Sequence, residues 1–190
     1  NGDGVISYEQ DRGYVGAAAY PKFVGGLSFS GDWKGIDLSF LFQAGLGRDV
    51  ALTGVYSGGI MDNTQMTKPF YHGGNSPKYL VENSWREDNT NAEFPRLSIV
   101  QASSNNAYSS TFWYRSGDYL RLKNLQIGYT FPQKWMSRIG IDRLRIYFEG
   151  QNLWTVSELT KFNIDPEQPG VSNGYYPQQR IFSFGVNLAF

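Results

Sequence analysis

The sequence predicts an all-β chain of antiparallel strands, a segment of barrel wall. Three observations carry that prediction. Large apolar residues alternate with small or polar ones in several stretches, which is the period of a strand. Aromatics make up 16 % of the 190 residues and glycines number 22, against 18 % charged residues. That mix suits strands and turns better than soluble helices. The connections between the alternating stretches are short and long in turn.

The same composition narrows the function classes. Lys plus Arg and Asp plus Glu each number 17, so the net charge is zero. A neutral chain lacks the basic face of an electrostatic nucleic-acid binder. With no cysteine and one histidine, disulfide scaffolds and Cys- or multi-His metal sites are excluded. No apolar run reaches the length of a transmembrane helix, but a transmembrane strand needs only about 9–11 residues with alternate positions apolar.

The strands follow in order. In "FVGGLSFSGDW", Phe23, Leu27, Phe29 and Trp33 share one side, with Ser28, Ser30 and Asp32 opposite. In "IDLSFLFQAGLG", Ile36, Leu38, Phe40, Phe42, Ala44 and Leu46 oppose Asp37, Ser39, Gln43 and Gly45. Only Lys34–Gly35 joins the two, which predicts a hairpin with a tight turn over 23–47. "DYLRLKNLQIGYTF" alternates in two phases: Leu120 and Leu122, then Leu125, Ile127, Tyr129 and Phe131. A β-bulge near Lys123–Asn124 restores one apolar face. "PQKWMSRIGID" opens with Pro132 and spaces Trp135, Met136 and Ile139 as a short helical turn does. In "DRLRIYFEGQNL", Leu144, Ile146 and Phe148 oppose Arg143, Arg145, Tyr147, Glu149 and Gln151. These two strands and their connection occupy 118–153. The last strand, 180–190, sets Phe182, Phe184, Val186, Leu188 and Phe190 against Ser183, Gly185, Asn187 and Ala189.

Connection lengths then give an orientation. Residues 34–35 and 132–141 are the shorter connections, and 48–117 and 154–179 are long. Outer-membrane barrels have short periplasmic turns and long extracellular loops. This predicts that 1–22, 48–117 and 154–179 are extracellular loops. Five strands cannot close a barrel, for which eight is about the minimum. The chain is therefore expected to be a piece of a larger barrel, with its true N-terminus further upstream.

Several segments together resemble the C-terminal part of SusC/RagA-type TonB-dependent outer-membrane transporters of the Bacteroidetes. They are "NGDGVIS", "YPKFVGGLSFSGDWKGIDLSFLFQAGLG", "FPRLS", "SGDYLRLKNLQIGYTFP", "LRIYFEGQNLWT", "DPE" and "YPQQRIFSFGVNLAF". The match is diffuse between about 48 and 94. The resemblance implies the last five strands of a 22-stranded barrel, placed in the bacterial outer membrane among its lipids. It implies import of oligosaccharides or peptides, a SusD-like surface lipoprotein as a lid, and coupling to TonB through parts absent from this chain.

Candidate sites are few. "NGDGVISYEQD" resembles the inner part of a calcium loop. Asn1 and Asp3 would offer side-chain oxygens, Val5 its carbonyl and Gln10 the twelfth position, with Gly4 for the turn and Ile6 as anchor. A neutral Gln10 weakens such a site, and a metal-free Asx-turn loop is the alternative. Loop aromatics include Tyr56, Phe70, Tyr71, Trp85, Tyr108, Tyr175 and Tyr176. Aromatic faces near polar groups stack on sugar rings, and Tyr71, Trp85, Tyr108, Tyr175 and Tyr176 are the ligand candidates. Phe112, Trp113, Tyr114 and Trp154, close to strand ends, are candidates for an interfacial girdle. Arg121, Lys123, Arg143, Arg145 and Glu149 are assigned to the lumen as ion-pair partners.

No catalytic residues are expected. His72 lies in a loop, and Asp165-Pro166-Glu167 reads as a turn, although a carboxylate pair is also what a glycosidase uses. The competing reading is a soluble β-sandwich that binds carbohydrate. It differs from the barrel segment in what covers the apolar face.

Overall fold

A computed structural model of the chain describes residues 2–5, 7, 9–14, 18–52, 77–97, 110–169 and 178–190. Its strands, in chain order, are β1 (Phe23–Trp33), β2 (Ile36–Leu46), β3 (Asp49–Ala51), β4 (Tyr114–Ser116), β5 (Tyr119–Thr130), β6 (Arg143–Ser157) and β7 (Ile181–Ala189). Two short helices are α1 (Lys78–Glu82) and α2 (Gln133–Met136). The chain divides into a sheet unit, residues 21–47, 118–157 and 176–190, and a loop unit, residues 1–20, 48–117 and 158–175.

The sheet unit is one antiparallel sheet of five strands in the order β1-β2-β5-β6-β7. The β1–β2 turn is the tight one the sequence predicts. Lys34 and Gly35 both have positive φ, 49° and 87°, as a type I′ hairpin requires. A Cβ on Gly35 would stand 2.6 Å from the Thr130 carbonyl oxygen, so space as well as φ demands glycine there. At the same end of the sheet, residues 131–142 are pinned to two strands: Phe131 N–H donates to Leu144 O and Asp142 N–H to Ala189 O, each at 2.9 Å. Met136 is buried, while Trp135 and Ile139 stay exposed.

A bulge lies where the change of phase puts it. Phe42 pairs with Leu122 and Leu41 with Asn124, leaving Lys123 as the extra residue of β5. The next row lengthens again: Leu122 pairs with Trp154 and Asn124 with Gln151. Asn152, at φ 52°, absorbs the added residue on β6, and its amide donates to Gln178 Oε1 and Gln179 O. The row thus takes one step on β2, two on β5 and three on β6, which bends the sheet. β6 then runs on to Ser157, past residue 153, because Trp154 and Val156 continue its apolar alternation.

Register places every apolar stripe on one face. Phe29 opposes Phe40, Ile127 opposes Phe148, and Phe148 opposes Phe184. The rings meet across strands: Phe29 and Phe40 stack at 5.3 Å between centroids, and Phe148 lies 5.2 Å from Phe184. The other face carries Ser28, Asp37, Gln43, Arg121, Gln126, Arg145, Glu149 and Asn187.

The loop unit is built differently. It has a small sheet of β3 and β4 and a buried cluster of Val50, Leu52, Leu80, Phe94, Trp113, Leu159, Phe162 and Ile164. These side chains come from residues 50–52, 80–94, 113 and 159–164. The described residues of 48–117 and 158–175 are thus more than connections, since together they close a core of their own.

Candidate functional site

The polar face of the sheet is organised by one ion pair. Arg145 on β6 reaches over β5 to Asp37 on β2, with Nε on Oδ1 at 2.9 Å and Nη2 on Oδ2 at 2.5 Å. Two parallel N–H···O bonds make the strong, geometrically specific form of such a pair. Gln126 Oε1 accepts from Arg145 Nη2 at 3.1 Å, and the guanidinium stacks on Tyr147 at 4.8 Å. The pair passes over Gly128, where a Cβ would lie 2.5–2.6 Å from the Asp37 oxygens and Arg145 Nη2. Tyr147 in turn lies over Gly185 of β7, in the space a side chain there would take. Glycine on two strands therefore lets long side chains of their neighbours lie flat.

Toward the other end of the same face, Gln43 donates to the Tyr119 hydroxyl at 3.1 Å, and Arg121 Nε donates to Thr155 Oγ1 at 2.9 Å. Of the residues the sequence assigns to this face, Arg121, Arg143, Arg145 and Glu149 are on it, while Lys123 stands in the bulge between the two phases. The arrangement positions charge and hydrogen-bonding groups along a wall. It shows no nucleophile held by a base.

A second polar cluster ties the loop unit together. Glu93 accepts from the Tyr79 hydroxyl at 2.7 Å, from Arg115 Nη2 at 3.2 Å and from Lys161 Nζ at 3.3 Å. Arg115 also donates to the carbonyls of Phe112 and Tyr114 and pairs with Glu158 at 3.7 Å. Partial burial pushes the Glu93 carboxyl up, but hydrogen bonds from Tyr79, Lys161 and Arg115 outweigh it and hold the group below the usual range. The Tyr79 phenol is held above its ordinary value, first by its bond to Glu93 and then by burial.

The opening segment forms turns. Gly2 and Gly4 have φ of 81° and 80°. Asp3 Oδ1 accepts from Val5 N–H at 2.8 Å, which is an Asx-turn. Asp11 Oδ2 accepts from Ser7 N–H at 2.7 Å, and Gln10 N–H donates to Ser7 Oγ at 3.1 Å. Among the described residues no group of three or more His, Asp or Glu side chains gathers as metal ligands. Asp3, Val5 and Gln10 thus lie in one run of turns. Asn1 lies outside the described residues, as do Tyr56, Phe70, Tyr71, His72, Tyr108, Tyr175 and Tyr176.

The described aromatics separate. Trp113 is 3 % exposed and packs against Phe94 and Phe112 in the loop-unit core, which removes it from the girdle. Its side chain is drawn inward because the loop unit has a core, which alternation does not reveal. Trp154 is half exposed on the apolar face, and Phe112 is also exposed. Trp85 is 36 % exposed and lines a cavity with Arg86 and Arg96. Asp165 accepts from Glu167 N–H at 2.8 Å and forms the expected turn. Sequence reading missed Phe94, Phe162 and Glu93. The spacing of Leu159 and Phe162 is the one local signal of an inward face there.

No protein-family model matches the chain. TonB-dependent receptor P3 of Formosa agariphila is 29 % identical over 203 aligned residues, which cover all of this chain and 18 % of that receptor. TonB-dependent receptor SusC of Bacteroides thetaiotaomicron is 30 % identical over 105 residues, 54 % of this chain and 10 % of SusC. The structure of the RagAB peptide transporter matches 93 % of this chain and 18 % of its own, with TM-score 0.60 and 25 % identity. The RagAB peptide importer in its open-open state matches 92 % and 18 %, with TM-score 0.58 and 26 % identity. The chain spans less than a fifth of the length of these relatives. The relatives are receptors and transporters, and this chain is similar along its whole length to a segment of SusC/RagA-type TonB-dependent receptors.

Proposed function

We propose that this chain is part of the barrel wall and outer loops of a TonB-dependent outer-membrane importer of oligosaccharides or peptides. In this reading its five strands are the last of a 22-stranded barrel. The apolar face meets lipid, the polar face meets the solute path, and a SusD-like surface lipoprotein closes over the loops. TonB acts through parts of the protein that this chain does not contain. The wall breaks no bond. Its task is to stay rigid while solute and plug move past it, and the Asp37–Arg145 pair over Gly128 stiffens three strands at once.

The observation that carries the reading is the continuous apolar face. Leu27, Trp33, Phe182, Phe184 and Val186 are each 59–82 % exposed on it. Contiguous apolar patches beyond a few hundred Å² are rare on soluble monomers and mark membrane or protein contact. No observation favours the soluble carbohydrate-binding sandwich. Calcium at Asn1, Asp3, Val5 and Gln10 is a separate part of this proposal, which calorimetric heat on titrating millimolar Ca²⁺ would support and its absence would sink.

The test is solubility. The purified chain is expected to stay monomeric only in detergent or lipid, and its Trp33 and Trp154 fluorescence should be quenched by brominated acyl chains. A cooperative thermal melt of a monomer in plain buffer would overturn the proposal.

A further inference from the structure

The short-turn end of the sheet carries three exposed cations, Lys34, Lys134 and Arg138, that pair with no carboxylate among the described residues. Thr130 N–H donates to Gly35 O at 2.7 Å, which sets the β1–β2 turn beside residues 131–142. Within that stretch Lys134 and Arg138 are four residues apart, and so are Trp135 and Ile139. In the helical turns of 133–139 this spacing gives two neighbouring stripes, one cationic and one apolar. Met136 fixes the turn by its burial, while Trp135 and Ile139 are 55 % and 65 % exposed.

Trp33 ends the apolar stripe of β1 here and is 67 % exposed. The Lys34 amine lies over its ring at 4.6 Å, a cation–π contact that ties the charge to the last residue of the stripe. Tyr129 and Phe131, where β5 ends, meet edge to face at 5.0 Å. Residues 131–142 hold one acid, Asp142, against their two cations, and the β1–β2 turn adds Lys34. Asp37 is held by Arg145, and Asp32 stands on the polar face.

Exposed cations in water need no partner. These border a face that, in the proposed function, acyl chains cover. The polar layer next to acyl chains is phosphate, and lysine, arginine and tryptophan are the side chains that reach it from such an edge. Anionic headgroups add an attraction for each cation.

We propose that this end of the sheet is an anchor for anionic phospholipid, with Lys34, Lys134 and Arg138 on headgroup phosphates and Trp33, Trp135 and Ile139 at the boundary with the acyl chains. Charge complementarity, and the continuity of Trp33 with the apolar stripe, select a lipid surface over a folded protein. The inference deepens the importer reading and rests on its lipid-covered sheet face.

Brominated lipids test it on the whole chain, in equimolar vesicles of phosphatidylcholine and phosphatidylglycerol with the bromine on one lipid or the other. Quenching of tryptophan fluorescence should show brominated phosphatidylglycerol enriched about threefold or more over brominated phosphatidylcholine. High salt should remove the excess. The Lys34→Gln, Lys134→Gln, Arg138→Gln chain should lose it too, with its strands intact by far-UV circular dichroism, since all three positions are exposed. The Trp33→Phe, Trp135→Phe chain should also lose it, because Trp154 lies toward the far end of β6. An excess that persists in either variant, or equal quenching by both lipids in the unaltered chain, would overturn the proposal and leave the sheet in lipid. Quenching by neither lipid would overturn the importer reading with it.

Discussion

Phe94 and Phe184 are the same side chain in opposite situations. Phe94 is 1 % exposed, ringed by Tyr79, Phe112, Trp113 and Phe162. Phe184 is 82 % exposed, with Phe148 beside it on the same sheet face. The contrast runs through both units. The loop unit folds its apolar residues inward, as a water-soluble domain does. The sheet unit displays them outward and keeps its charges on the opposite face. One chain therefore follows two burial rules, and the boundary between them falls where the chain leaves the strands. Burial of an apolar group is favourable in either case. What differs is whether protein or, in the proposed setting, lipid does the covering.

Removing Phe94 should break the loop unit and spare the sheet. Phe94→Ala opens a cavity among four aromatic rings and should cost about 3–5 kcal/mol. The near-UV signal of Trp113 should be lost in detergent, while the strand signal in the far-UV remains. Loss of both signals together would show that the two burial rules depend on each other.

A charge on the outer face reads the other half of the comparison. Phe184→Arg in lipid vesicles should destabilise the chain by about 2–4 kcal/mol in urea unfolding, the cost of a guanidinium near the bilayer midplane. Were the face covered by water, the same change would cost nothing and improve solubility.

The two units were not equally legible. Strands of the sheet can be read one at a time, because a period of two needs no partner to be visible. Even the bulge is written locally, in the parity change between Leu122 and Leu125. The ion pair is not. Asp37 and Arg145 are 108 residues apart, and only the register of three strands brings them across Gly128. The loop-unit core is harder still. Leu52, Leu80, Phe94, Trp113 and Leu159 lie in segments too short and irregular to show a period, so their inward facing is decided by contacts between distant segments. Trp113 reads as an interfacial aromatic for that reason: an aromatic near a strand end looks the same whether it points to lipid or into a core. Trp85 is legible as a ligand candidate because an aromatic face near polar groups suits a sugar ring, but Arg96 comes beside it only through the pairing of 83–86 with 94–97.

The smallest expected effect separates the units by pH. Glu93 is held below the usual carboxylate range, so it binds its proton less readily folded than unfolded. Its contribution to stability is present above about pH 4.3, the ordinary glutamate value, and is lost as pH falls through the depressed folded one. Tyr79 runs the other way: its raised value gives a contribution present below about pH 10 and lost as pH climbs through the folded value. Glu93→Gln keeps the shape but loses the charge on which Arg115 and Lys161 converge, and should cost the loop unit about 1–2 kcal/mol near neutral pH. It should also flatten the acid limb of that unit's stability, followed by Trp113 fluorescence, because no proton is then taken up at position 93. The sheet, followed by far-UV circular dichroism in the same samples, should show no change on this substitution. A Glu93→Gln variant whose acid limb matches the unaltered chain would mean that the cluster is decoration on a core held by Phe94 and its neighbours alone. A shift in the sheet signal would mean that the cluster's charge reaches beyond the loops it joins.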